Sequence, residues 1–264
     1  MNQLLKTLYK YNRLVSVSDT TSLSYYLILS IIPILTLMVI SFNYLRFDIA
    51  VVKDTLLKYF SNELTTLLIN YLEDQSAGYF SAFAIVMSLV VSSRGVFRLK
   101  QVTNRLYEVP KEQHHFVRSR IYAIFNTMTF VLFSAIMVMA FGILPSLTFI
   151  LDWLNLEVFS HTLITLSVIY VLMLFINMIV PSLWPGFKAG SLGALVSTAG
   201  MAGIMIFIRF FRNAATYDTI YGPLASVAWI LITLNWMSNV IYFGICFSSV
   251  IYLEDKEKEA DHEK

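Results

Sequence analysis

Charge is what this 264-residue chain has least of. Asp, Glu, Lys and Arg make up 14% of it, where soluble domains carry about a quarter. Long windows hold none of the four, and the charged residues gather between those windows and at the ends. With 57% hydrophobic residues and a mean hydropathy of +0.68, the expected solvent is a bilayer. One cysteine, Cys246, leaves no disulfide partner and no cluster of soft metal ligands. The four histidines, His114, His115, His161 and His262, show no metal-ligand spacing, so no metal or other cofactor is expected. There is no G-x-x-x-x-G-K-[ST] phosphate loop, which speaks against ATP hydrolysis by this chain alone. A net charge of +2 is too small to imply nucleic acid as a partner. The chain reads as something other than an enzyme.

The apolar windows are of membrane-spanning length, about 20 residues each. Six are expected, over 22–45, 79–96, 121–144, 161–180, 190–208 and 227–253. The fold class is all-α: a single polytopic bundle over 1–253 with about six transmembrane helices and short amphipathic interfacial helices. A charged tail, 254–264, is expected to be disordered and cytoplasmic. Alternate connecting segments hold fourteen Lys and Arg against five in the others, which puts both termini in the cytoplasm of a bacterial plasma membrane. Leu4, Leu8, Tyr11 and Val15 repeat at helical spacing opposite Lys6, Lys10 and Arg13, so a helix lying on the cytoplasmic surface is expected there. A second amphipathic helix, on the outer side, is expected among residues 53–74.

None of the six windows contains Asp or Glu, and carriers driven by protons commonly place a carboxylate at mid-membrane. The energy source is then a substrate gradient, a partner, or an ion site of backbone and amide oxygens. Arg94, Arg98, Gln101 and Arg105 fall on one helix face, with Leu99, Val102 and Leu106 opposite. That stripe reads either as an anchor to anionic lipid headgroups at the cytoplasmic face or as a vestibule for an anionic substrate. Arg209 and Arg212 end the fifth window on the outer side, either in ion pairs with Asp218, Asp152 or Glu157 or as an external anion site. Asn235 and Asn239 share a face of the sixth window, and Asn126 and Asn177 lie in others. Such amides either join helices or line a polar path. The small residues from Gly190 to Gly203 allow close helix packing. Pro33, Pro145 and Pro223 each free a carbonyl or break a helix.

Ser24-Tyr25-Tyr26 with Ser30 and Pro33, Ser92-Ser93 with Asn104-Arg105 and Tyr107, Pro185-Gly186 with Gly190 and Gly193, and Tyr221-Gly222-Pro223 leading to Trp229 together resemble the YihY/BrkB family of membrane proteins. The likeness spans nearly the whole chain. It implies an inner-membrane protein of six helices, often described as a transporter or a virulence-associated factor. Two departures are a short connection over 180–184 and, at Gly244-Ile245-Cys246, the lack of the carboxylate often found after the family's glycine and alanine. Some members have carried a ribonuclease label, for which this sequence has no site. The expected function is a transporter or flippase-like protein for an anionic or amphipathic solute or lipid. The alternative is a non-transporting scaffold that binds an envelope partner. Membrane lipids are the expected partners, and a homo-oligomer stays open.

Overall fold

The computed structural model describes the backbone of residues 3–29, 66, 93–110, 157–214 and 218–262, and the side chains among these except at 157–162, 164, 209–214, 218–227 and 262. These residues are all-helical apart from short connections, with no strand among them. Six helical stretches follow in order: α1, Gln3–Leu14; α2, 17–29, and α3, 93–106; α4, Glu157–Ile179; α5, Phe187–Ala214; and α6, Asp218–His262. Among the described residues two helices are long and apolar enough to cross a membrane, within Phe187–Ile208 and Ala228–Asp261, and Thr165–Ile179 is a shorter apolar stretch. These carry the fourth, fifth and sixth expected windows. All but residue 66 of the outer amphipathic helix, most of the first and second windows, the third window, and Pro33, Asn126 and Pro145 lie outside the described residues.

The chain's local chemistry sets the ends of these helices. Ser16 caps α2: its Oγ accepts the Asp19 N–H at 3.2 Å, while Asp19 Oδ2 accepts the Ser16 N–H at 3.0 Å. This is a capping box with Asp in place of Glu. α3 stops at a Schellman turn, with Val109 N–H on the Asn104 carbonyl at 3.0 Å and Glu108 N–H on that of Arg105 at 3.3 Å. Glu108, at φ 55°, holds the left-handed position that glycine usually fills, and Pro110 follows. Gly186, at φ 79°, turns the chain into α5. Pro223 falls inside α6, not ahead of it.

The charged tail corrects an expectation, because α6 continues through it to His262. Glu, Lys and Ala favour helix, Glu254 and Lys258 stand at the i, i+4 spacing, and Lys188 Nζ pairs with Asp255 at 3.1 Å. α1 is also corrected in part. It is helical as expected, but it docks along α6 instead of only resting on a surface. Thr7 is fully buried, with its carbonyl 3.6 Å from Cys246 Sγ. The Tyr11 ring packs edge-on against Phe243 at 5.7 Å, and Lys6 and Gln3 bond Glu254. Leu4 and Leu8, expected on the same face as Tyr11, are exposed.

α4, α5 and α6 pack through small residues. A methyl group on Gly193 would stand 2.7 Å from both Asn177 Oδ1 and the Gly244 carbonyl; one on Gly244 would strike Ser197 Oγ and stand 2.7 Å from the Gly193 carbonyl. Asn177 Oδ1 and Ser197 Oγ are buried with no hydrogen-bond partner among the described residues. Gly193-x-x-x-Ser197 and Gly244-x-x-x-Ser248 thus form a small-residue crossing of the kind that drives helix association in lipid. Around it the core gathers Met173, Ile176, Ala194, Met201, Ile241, Tyr242 and Ile245, joined by Leu99, Val102 and Leu106 from α3.

Candidate functional site

α3 divides as its periodicity requires. Leu99, Val102, Leu106 and Tyr107 are buried, and Arg94 and Arg105 on the other side are exposed. Two contacts fix the helix in place. The Tyr107 hydroxyl donates to Ser248 Oγ at 2.8 Å. Asn104 and Ser182 bond reciprocally, with Asn104 Nδ2 donating to Ser182 Oγ at 2.9 Å and the Ser182 N–H donating to Asn104 Oδ1 at 3.0 Å. Asn104, one of the residues carrying the family likeness, therefore ties the end of α3 to the α4–α5 turn.

The arginine stripe meets a carboxylate that sequence reasoning missed. Asp19 has no exposed surface. Arg98 reaches its Oδ1 at 2.9 Å, and Arg105 donates to its Oδ2, which also accepts the Ser16 N–H. The Arg98 contact is an ion pair whose geometry falls short of a hydrogen bond, since Oδ1 has no hydrogen-bonding partner among the described residues. With two guanidinium groups and a backbone N–H against it, Asp19 is an ionised side chain whose charge is more than balanced. The arginines are only partly used: the Arg98 and Arg105 side chains are 42% and 45% exposed, and Arg98 also donates to Gln101 at 3.3 Å. The Asp19 signal in the sequence is the S-x-x-D spacing at Ser16, which marks a helix start and says nothing of distant arginines.

The amides of α6 have a definite use. Asn239 Nδ2 donates to the Asn235 carbonyl at 2.7 Å, and Asn239 Oδ1 accepts the Tyr11 hydroxyl at 2.8 Å. They join α6 to α1. Lys10 pairs with Glu108 at 3.3 Å, which links α1 to the end of α3. Beyond the apolar run that ends at Leu253, Lys6 beside Glu254 holds that carboxyl below its usual value; burial opposes the shift and Gln3 supports it. Tyr25 is exposed, its ring edge-on to Tyr26 at 5.5 Å. Arg209 and Arg212 lie in the last turns of α5, and Tyr221, Gly222 and Pro223 in the first turns of α6; their side chains are outside the described set. Among the described residues no group of three or more His, Cys, Asp or Glu could hold a metal ion.

A family model described as virulence factor BrkB matches residues 13–264. No curated protein and no solved structure matches the chain.

Proposed function

From the premise that this chain belongs to the virulence factor BrkB family, and is a membrane protein, we propose that it moves an anionic or amphipathic solute, or a lipid, across the bilayer and has no enzymatic activity. In this reading six spans cross a bacterial plasma membrane with both termini in the cytoplasm. Arg94, Arg98 and Arg105 then meet the substrate or lipid headgroup inside, and Arg209 and Arg212 meet it outside. The observation that carries the reading is the fixed presentation of α3. Its apolar face is locked in the core, while its arginines keep nearly half their surface open. A rigidly held basic face with unused donors suits recognition of an anion.

The test is flux through purified protein in liposomes with labelled anionic lipids and osmolytes. Transfer abolished by changing Arg94, Arg98 and Arg105 together to Gln, in protein that remains folded, supports the reading. A second reading, a non-transporting scaffold that binds an envelope partner, is favoured by one observation: Asn235 and Asn239 are engaged with each other and with Tyr11, as helix glue would be. Absence of any transfer by the native protein would favour the scaffold.

A further inference from the structure

α5 gives a ruler for depth in the membrane. Between Lys188 and Arg209 it runs over residues 189–208 without a charged side chain, about 30 Å of helix, the thickness of the hydrocarbon core. The Lys188 pair with Asp255 sets one boundary level with the end of α6's apolar run. Further in, Gly193 meets Gly244 and Ser248, and Gly200 meets Val240. Because Tyr107 bonds Ser248, the end of α3 is level with Gly193. Counting back along α3 at 1.5 Å per residue, Arg105 lies about 3 Å and Arg98 about 14 Å beyond Tyr107. Tyr242, deeper than Ser248 on α6, is within electrostatic reach of Asp19, Arg98 and Arg105, in agreement. The Asp19 cluster therefore lies on the order of 10–20 Å inside the boundary.

Charged side chains at such a depth face protein or water, not lipid. Asp19 is wholly enclosed, whereas Arg98 and Arg105 are 42% and 45% exposed. Exposure there is, by that rule, exposure to water. Two guanidinium groups with free N–H donors converge on one carboxylate.

We infer that Arg98 and Arg105 form a binding site for an oxyanion of the phosphate or carboxylate class, and that Asp19 is its internal competitor, holding the arginines when no anion is bound. A guanidinium pair suits such an anion, since planar donors match its oxygens in number and spacing. Displacement leaves Asp19 only the Ser16 N–H on its Oδ2 and strips it of both guanidinium partners, so an anion binds against that loss. It also loosens the tie between α2 and α3, so that occupancy is linked to how these two helices sit. The inference rests on the transport reading, for which it supplies the place where the solute is held.

The test uses the full chain in phosphatidylcholine nanodiscs, titrated calorimetrically with inorganic phosphate and, separately, with dihexanoyl-phosphatidylglycerol. Asp19→Asn is expected to tighten binding at least tenfold, and Arg98→Gln or Arg105→Gln to weaken it at least tenfold. Binding of phosphate alone identifies a free oxyanion as ligand; binding of phosphatidylglycerol alone identifies a lipid headgroup. Equal affinity of native and Asp19→Asn protein overturns the competitor role, and no binding to either overturns the site. A second measurement does not depend on the folding of Asp19→Asn. With Cys246→Ala removing the sole cysteine, Arg105→Cys is expected to react with a membrane-impermeant thiosulfonate, and failure to react overturns the site's access to water. Binding without flux in liposomes leaves the site standing and overturns the transport reading.

Discussion

A buried carboxylate is tolerated only with compensation, and Asp19 has it from three directions: Arg98, Arg105 and the Ser16 backbone. Loss of one guanidinium leaves the buried charge less balanced, and weakening a hydrogen-bonded buried carboxylate in this way typically costs about 1–3 kcal/mol. Arg105→Gln is therefore expected to lower the thermal midpoint in detergent, while Arg94→Gln, at an exposed position, leaves it nearly unchanged. Equal midpoints for the two would mean that the Asp19 contact contributes nothing to folding. The arginine stripe was legible in the sequence because helical periodicity alone places Arg94, Arg98 and Arg105 on one side. Its partner was not. Asp19 stands in a polar stretch just before the first apolar window, so a search for carboxylates inside the windows passes it by, and its pairing spans 86 residues of chain.

At the scale of elements, the glycines of α5 divide by what faces them. Gly193 opposes Gly244, Gly200 opposes the Val240 side chain, and a Cβ on Gly203 would have nothing within 4 Å among the described residues. Gly244→Ala would push a methyl into Ser197 and the Gly193 backbone, and overpacking of this kind costs about 1–3 kcal/mol. Gly203→Ala meets open space and replaces glycine by a better helix former, so it is expected to be neutral or slightly stabilising. Parallel unfolding of the two variants checks this; similar losses in both would mean that the α5–α6 crossing does not depend on close backbone approach. Small residues from Gly190 to Gly203 announced close packing without saying which positions touch. The facing Gly244 and Ser248 sit in an otherwise apolar run and become meaningful only once the helices are docked. α1 was half legible for a similar reason. Its amphipathic repeat gave the helix, but a stripe that includes Leu4 and Leu8 does not reveal that Thr7 and Tyr11 face α6.

For the molecule as a whole, helical content and membrane character follow from composition, because runs of apolar residues about 20 long have few other stable forms in lipid. How the spans alternate depends on charge in the connections, a weaker signal that short interfacial helices can blur. α6 illustrates the difficulty: at 45 residues it is about 68 Å long, more than twice the hydrocarbon thickness, so hydropathy alone does not locate its membrane portion. The Lys188 pair with Asp255 aligns α6 with the charge-free stretch of α5. On that alignment Glu254 and the turns after it project past the boundary, and Gln3 and Lys6 of α1, which bond Glu254, emerge at the same face. The two chain ends should therefore share a compartment. Cysteines placed at Asn2 and at Glu259, each in the Cys246→Ala background, are expected to react with an impermeant reagent only when the cytoplasmic side is opened. Labelling of the two from opposite sides would break the alignment of α1 with α6 and the depth assigned to Asp19 with it, whereas labelling of both from outside would keep that depth and invert the orientation.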